Sequence, residues 1–298
     1  MSTDAPFIRN IRLLLGPLAD DQGGGPTDEA LEILSDGSRN TLAVDFSVTK
    51  TLIGTPNAAT VRIRNLSEST RRRIRASLTR VRLEVGYENQ GLYPLAMGGL
   101  ISVVPYAENP DYVTELTFLD GFGGIVKGVT SRSFAARTPV IDIVEAIGQD
   151  MPGVTIDRDS LQISGVVGRR GYTISGRSAD ALDTLADSFG FSWTVQDGVL
   201  TALDDAQSYT TIHEISVERR NLIAALPTLG GPMQIQTGIE VTAVLDPRVR
   251  PGNTMSLTST ANPGLSGQSK IHRADFDGGT MQNDSTMRLT SFTLGNIR

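Results

Sequence analysis

Few residues of this chain have both the type and the spacing that chemistry requires. Asp180, Asp183 and Asp187 recur at i, i+3 and i+7, which on a helix lines three carboxylates along one side. Such a row could hold a divalent cation or supply a general acid and base. A solvated helix face is the expectation instead, because Asp180 falls in the first turn, where the helix dipole favours an acid. Asp204 and Asp205 read as a loop. His213 and His272 stand far apart in strand-like segments, without the short spacing that zinc or a catalytic triad needs, and are expected to be structural or surface residues. Gly121-Phe122-Gly123-Gly124 looks like a phosphate loop, but no Gly-Lys-Ser/Thr follows, so a turn is expected. Ser178, in a Gly-Arg-Ser-Ala-Asp run, lacks the second glycine of a nucleophile elbow. No catalytic, cofactor-binding or metal-ligating residue is therefore assigned, and no cofactor is expected.

Composition narrows the field further. The 298 residues include no cysteine, which excludes disulfides, thiolate metal sites and cysteine nucleophiles. A formal net charge of -6 offers no general attraction to nucleic acid. The one dense basic cluster is Arg71, Arg72, Arg73, Arg75 and Arg80, with Arg82 just beyond. It could neutralise phosphates, yet no aromatic residues interleave with it for base stacking. A solvated face or a salt-bridging subunit contact is the expectation. The first fifteen residues carry an early acid and an apolar run stopped at Gly16-Pro17, so neither a signal peptide nor a membrane span is expected, and the protein is expected to be cytosolic when made.

The elements around these residues alternate apolar and polar side chains at period two, as half-buried strands do. Leu42, Val44, Phe46 and Val48 form one face, Ala59, Val61 and Ile63 another, and Val81, Leu83 and Val85 a third. Further strands are predicted over 95–104 and 112–119. One short helix interrupts them, capped by Ser67 and carrying Thr70, Ile74 and Leu78 on one side. The glycine-rich run from Asp20 to Thr27 reads as a loop.

After about residue 135 the period changes. Thr138 as cap and Pro139 at the first helical position start a helix with Val140, Ile143, Val144 and Ile147 inward, ended by Gly148 and Pro152. A second helix begins at a Ser178 cap, buries Ala181, Leu182, Leu185, Ala186 and Phe189, and stops at Gly190. Phe191, Trp193 and Val195 then alternate into Asp197-Gly198, a strong hairpin signal, and Trp193 should pack on that helix. From about residue 206 strands return, over 239–245, 255–257, 270–276 and 287–294. The fold class is mainly β with an α+β insertion, divided as 1–135, 136–205 and 206–298.

Three segments together resemble the hub proteins of bacteriophage baseplates and tail tips. Asn57 to Ile74 followed by Val81 to Tyr87 is similar to the strand, short helix, strand passage of that family. Tyr172 to Leu203 resembles its helix and hairpin module. Asn221 to Leu257 resembles its closing β segment, with the Leu-Asp-Pro-x-x-Arg-Pro-Gly turn at Leu245 to Gly252. The chain is shorter than many hubs, which implies a minimal form without a fused spike or lytic segment.

The resemblance implies a homotrimer in which each subunit supplies two tube-protein-like β-barrels, giving a pseudo-hexameric ring. That ring would join a six-fold tail tube to a three-fold spike, within the virion's baseplate or tail tip. Implied partners are the tail tube protein, the spike or tail-tip protein, other baseplate proteins and the tape measure protein, with DNA passing through unbound. The competing reading is a tail-associated cell-wall-degrading glycosidase or peptidase. It needs a carboxylate pair or a metal site that the sequence does not display.

Overall fold

The computed structural model of the chain describes residues 9–16, 30–36, 38, 41–77, 80–87, 91–216, 219, 221–228, 238–280 and 285–293. The expected glycine-rich loop from Asp20 to Thr27, and Leu78 of the first helix, lie outside the described residues. The chain opens with β1 (Arg9–Gly16), β2 (Leu31–Ser35), β3 (Val44–Thr51) and β4 (Ala58–Arg64). Helix α1 (Glu68–Ser77) leads into β5 (Arg80–Tyr87), the long β6 (Gly91–Glu108) and β7 (Asp111–Leu119). The middle of the chain forms α2 (Phe122–Lys127), β8 (Val129–Phe134), α3 (Val140–Gln149), β9 (Thr155–Gln162), β10 (Tyr172–Arg177), α4 (Ser178–Phe189), β11 (Phe191–Gln196) and β12 (Val199–Asp204). Strands β13 (Ile212–Ser216), β14 (Leu222–Thr228), β15 (Gly238–Val244), β16 (Thr254–Thr258), β17 (Gly267–Gly279) and β18 (Thr286–Thr293) complete it.

The fold is mainly β, with a small α+β piece between two β units, as the alternation and its change of period predict. The two β units join in one sheet of order β14-β15-β18-β17-β3-β4-β7-β6-β5-β1-β2, with β13 and β16 to the side. The seam is the antiparallel pairing of β17 with β3, from Arg273 opposite Thr51 to Gly279 opposite Asp45. One apolar core runs across it, from Val44, Phe46 and Val61 on one side to Val241, Phe276 and Leu289 on the other. Period two sends these side chains to one face and leaves Asp45, Ser47, Arg62, Glu115 and Asp275 on the other.

A second, separate core packs α3 and α4 against β11 and β12, with Val144, Leu182, Leu185, Trp193 and Leu200 at its centre. Ile125 of α2 belongs to this core, and β8 pairs with β10.

Several local predictions shift in the structure. Ser67 does cap α1, accepting the Thr70 N–H at 3.2 Å. Thr138 does not cap α3: its hydroxyl bonds to the Ala135 carbonyl, and Pro139 holds the cap position with an extended ψ of 139°. Nor does Gly148 end that helix. It lies inside, where the side chains of Ile156 and Leu200 occupy the space a Cβ would fill, and Asp150 closes the helix. Ser178 is the first residue of α4, not its cap; its hydroxyl is buried without a partner while its N–H reaches the Gly128 carbonyl. The run Gly121 to Gly124 is no simple turn, since α2 begins at Phe122 after a left-handed Gly121. Gly190 ends α4 in the left-handed conformation, as its placement predicts.

Candidate functional site

A buried cluster of charged side chains lies where the two cores meet. Alternation places Val44, Phe46, Val48 and then Lys50 on the apolar face of β3, so an ammonium enters the interior with 1% of its side chain exposed. Its Nζ donates to both carboxylate oxygens of Asp197, at 2.8 and 2.9 Å. Asp197 is the first turn residue of the β11 to β12 hairpin, with φ of 53° followed by Gly198 at 81°, a conformation that suits Asp-Gly. The Arg250 guanidinium donates to the same carboxylate at 3.0 Å and also to the backbone carbonyls of Pro247, Val249 and Pro94. Asp120, directly after β7, accepts the backbone N–H groups of Asp197 and Gly198. Three charged side chains from three segments, Lys50, Asp120 and Arg250, thus grip one hairpin tip at Asp197 and Gly198.

Neighbouring contacts extend the grip. Asn57 accepts the Thr51 N–H at 2.8 Å and donates to the Val195 carbonyl at 3.0 Å. The Tyr209 hydroxyl reaches the Ser160 carbonyl, and Lys270 Nζ the Asp204 carbonyl. These polar contacts help hold the α+β piece to the large sheet, and each has a partner and so avoids the cost of an orphaned buried group.

Electrostatics separates the two carboxylates. Burial pushes Asp197 up, but Lys50 and Arg250 outweigh it and hold the group below the ordinary aspartate range. Burial, reinforced by the Asp197 charge, pushes Asp120 up to about 7 against the pull of Lys50 and the two N–H groups. Burial also lowers Lys50. An acid raised when folded binds more protons folded than unfolded between about 4 and about 7, so its contribution to stability falls as pH rises through that window. Urea titrations between pH 4 and 8 should show this slope, and Asp120→Asn should flatten it; an unchanged slope in the variant would assign the titration to another group.

The expected chemistry residues do not converge. Asp180, Asp183 and Asp187 stay on the exposed side of α4, but Asp183 is not simply solvated: it accepts the Trp193 indole N–H at 2.8 Å. His213 lies 3.2 Å from the Asn253 side chain, and burial lowers its pKa. Burial takes His272 down to about 4. Asp204 binds the Ser164 N–H and hydroxyl. In the basic cluster, Arg71 stacks 4.1 Å over Tyr112, a partner distant in sequence, while Arg72 pairs with Glu68 and Arg82 with Glu84. Among the described residues no group of acids and histidines is arranged to hold a metal ion, and no helix is long and apolar enough to cross a membrane.

The polar face of the large sheet carries the other notable arrangement. Arg62 pairs with Glu115 at 2.8 Å, Arg64 with Asp45, and Arg273 with Asp275 at 2.7 Å. A groove of about 430 Å³ between Arg62, Arg64, Tyr106 and Asp277 opens on this face. Its arginines are already neutralised by the acids beside them.

A family model described as Baseplate hub gp41 matches residues 30–284. No curated protein matches the sequence at a level that marks a relative. Among solved structures, the 43 kDa tail protein of prophage MuSo2 from Shewanella oneidensis superposes with a TM-score of 0.62 at 10% identity, covering 96% of this chain and 97% of that one. A tail protein from Neisseria meningitidis gives 0.59 at 11% identity, covering 85% and 96%. The Escherichia coli c3393 protein, a type VI secretion component described as similar to the T4 tail proteins gp27 and gp5, gives 0.60 at 9% identity, covering 87% and 76%. At such identities the superpositions establish a shared fold.

Proposed function

The chain belongs to the Baseplate hub gp41 family, and from that premise we propose that three copies form a pseudo-hexameric ring joining the six-fold tail tube to a three-fold spike. The observation that carries this reading is the β3 to β17 seam. It sets two β units side by side in each chain, so three chains present six. Closed cyclic symmetry then lets one heterologous contact repeat and finish. The partners are the tail tube protein on one side and the spike or tip protein on the other, with other baseplate proteins and the tape measure protein in reach. The role is structural, without catalysis, in the virion's baseplate or tip.

DNA passes through the ring without binding. Support comes from the polar sheet face, where arginines are matched by adjacent carboxylates. A lining of unmatched cations would hold duplex through phosphate contacts and counterion release. Arg71 and Arg72 of α1 engage Tyr112 and Glu68, and this part of the helix faces protein neighbours in the assembly. Class averages of the purified protein by electron microscopy should show a three-fold ring with a central channel. Filter binding at low salt should retain no duplex DNA. Salt-sensitive retention would overturn the passive conduit while leaving the ring in place, and a compact particle without three-fold symmetry would overturn the ring.

A further inference from the structure

We propose that the outer edge of β8, on the α+β piece, is a docking site for an acidic, extended segment of a partner protein, which adds to it as a third strand. The contact is independent of the ring.

Among the described residues β8 and β10 pair only with each other. The Ser178 N–H reaches the Gly128 carbonyl in the same register, which fixes the phase of the ladder. Hydrogen-bonded pairs alternate along an antiparallel ladder, so Thr130, Arg132 and Phe134 turn their backbone groups to β10, while those of Val129, Ser131 and Ser133 point away from it. Among the described residues no hydrogen bond meets them there. The side chains follow the same period. Ile174 is buried in the second core, with Phe134 and Tyr172 packed against it. Val129 stands 65% exposed on the opposite face, and the exposed side chains beyond it are the hydroxyls of Ser131, Ser133, Thr173 and Ser175. Such small groups leave an incoming strand unobstructed.

The edge of β10 is the poorer of the two. Gly176 departs from the extended conformation with φ of 139°, and α4 begins two residues later. β8 contains neither glycine, proline nor lysine, the last two being residues by which edge strands are commonly kept free. Its one charge, Arg132, lies on the inner face and is matched by Asp150 at 2.7 Å.

Charge at the two ends of this edge selects the occupant. Beyond Phe134 two turns lie side by side, joined by the Arg137 N–H to the Gly168 carbonyl. Arg137 takes the left-handed region at φ of 63°, which is uncommon for a residue with a side chain. Gly171, at 74°, sits where a Cβ would strike the Phe134 carbonyl. The two turns present Arg137, Arg169 and Arg170, all exposed, and Lys127 is exposed at the other end of the edge. The carboxylates of this piece are engaged by other cations: Asp150 pairs with Arg132, Asp180 with Arg177, and Asp142 and Glu145 with Arg158. In a chain of net charge -6, unmatched cations at both ends of one free edge favour an acidic partner. A peptide strand uses the outward backbone groups as well as the charges. A nucleic acid would meet the cations and leave the alternating donors and acceptors of the edge unused.

The test uses the intact chain and a fluorescent peptide of about ten residues, alternating valine and glutamate, with binding read by anisotropy. Companion probes are the same peptide with lysine for glutamate, the acidic peptide with every second backbone nitrogen methylated, and a DNA duplex. The acidic peptide should bind at least about tenfold more tightly than the lysine peptide and weaken in high salt. Methylation should abolish binding. R137N/R169Q/R170Q should weaken it about tenfold, asparagine being suited to the left-handed position, while R71Q/R72Q in the other basic cluster should leave it unchanged. Ser131→Pro removes an outward N–H that the β8 to β10 ladder does not use, so the variant should melt with the parent and lose binding. Should it melt early, the methylated peptide alone decides the backbone question. Failure of the acidic peptide to bind, equal binding of the lysine peptide, or unchanged affinity in R137N/R169Q/R170Q overturns the docking site. Binding that survives methylation overturns the strand addition, and a duplex held more tightly than the acidic peptide assigns the surface to nucleic acid instead.

Discussion

Asp197→Asn should lower the unfolding free energy by about 3 kcal/mol, because it leaves the Lys50 ammonium buried without its counterion. Asparagine keeps the size of the side chain and tolerates the positive φ of the turn, so the loss reports charge and not backbone strain. Both Lys50 hydrogen bonds go to Asp197, and Arg250 would keep its three backbone carbonyls. The remaining carboxylate nearby is Asp120, raised to about 7 in part by the Asp197 charge. In the variant Asp120 should ionise more readily and recover part of the loss. Urea unfolding at pH 7 reads the change as a lower midpoint at constant slope. Adding Lys50→Met to the variant should restore most of the stability, since the coupled pair is then removed together. Additive losses in the double variant would show that the two groups do not act as a pair.

The same cluster shows where sequence reasoning reached and where it stopped. Strands announced themselves through period two: Val44, Phe46 and Val48 are buried as their spacing demands, and so are Val61, Ile63, Leu83 and Val85. Lys50 continues that phase, and a lysine in step with three apolar residues was the available signal for a buried cation. Its partners were not legible, because Asp120, Asp197 and Arg250 come from turns distant in sequence that only the packing of the α+β piece on the sheet brings together. The Asp-Gly hairpin was readable as a turn, but not as the object being gripped. Cap positions erred by a residue at Thr138 and Ser178, where backbone contacts to Gly165 and Gly128 take the place of the expected side-chain caps. Gly148 misled for a different reason: a glycine can be demanded inside a helix by close packing as well as by a helix end. The seam between β3 and β17 joins segments more than two hundred residues apart, and no local pattern specifies such a pairing. Resemblance supplied the family; the registers that make two β units into one sheet came from the structure.

Trp193→Ala should cost about 3 to 5 kcal/mol, the usual range for deleting a buried large aromatic side chain. Trp193 is 2% exposed and belongs to the second core with Leu182 and Leu185 of α4. The ring also reaches beyond that core. A Cβ placed on Gly54, in the turn after β3, would come within 2.4 Å of it, so the indole fills the space between the hairpin and the large sheet. Its N–H donates to Asp183, which fixes the ring's orientation from the helix surface. Truncation therefore opens a cavity, removes a contact across the two cores and leaves Asp183 to water. Asp183→Asn isolates the last effect, and because its side chain can rotate to present the amide oxygen to the indole, the cost should be about 1 kcal/mol or less. Trp193 is the one tryptophan of the chain, so its fluorescence reports this site alone: emission should be blue-shifted and resistant to acrylamide in the native protein. Circular dichroism in urea follows the alanine variant, which has lost the probe. A red-shifted, easily quenched native signal, or a loss in Trp193→Ala no larger than that in Asp183→Asn, would show that the ring does not tie the helix, hairpin and sheet together.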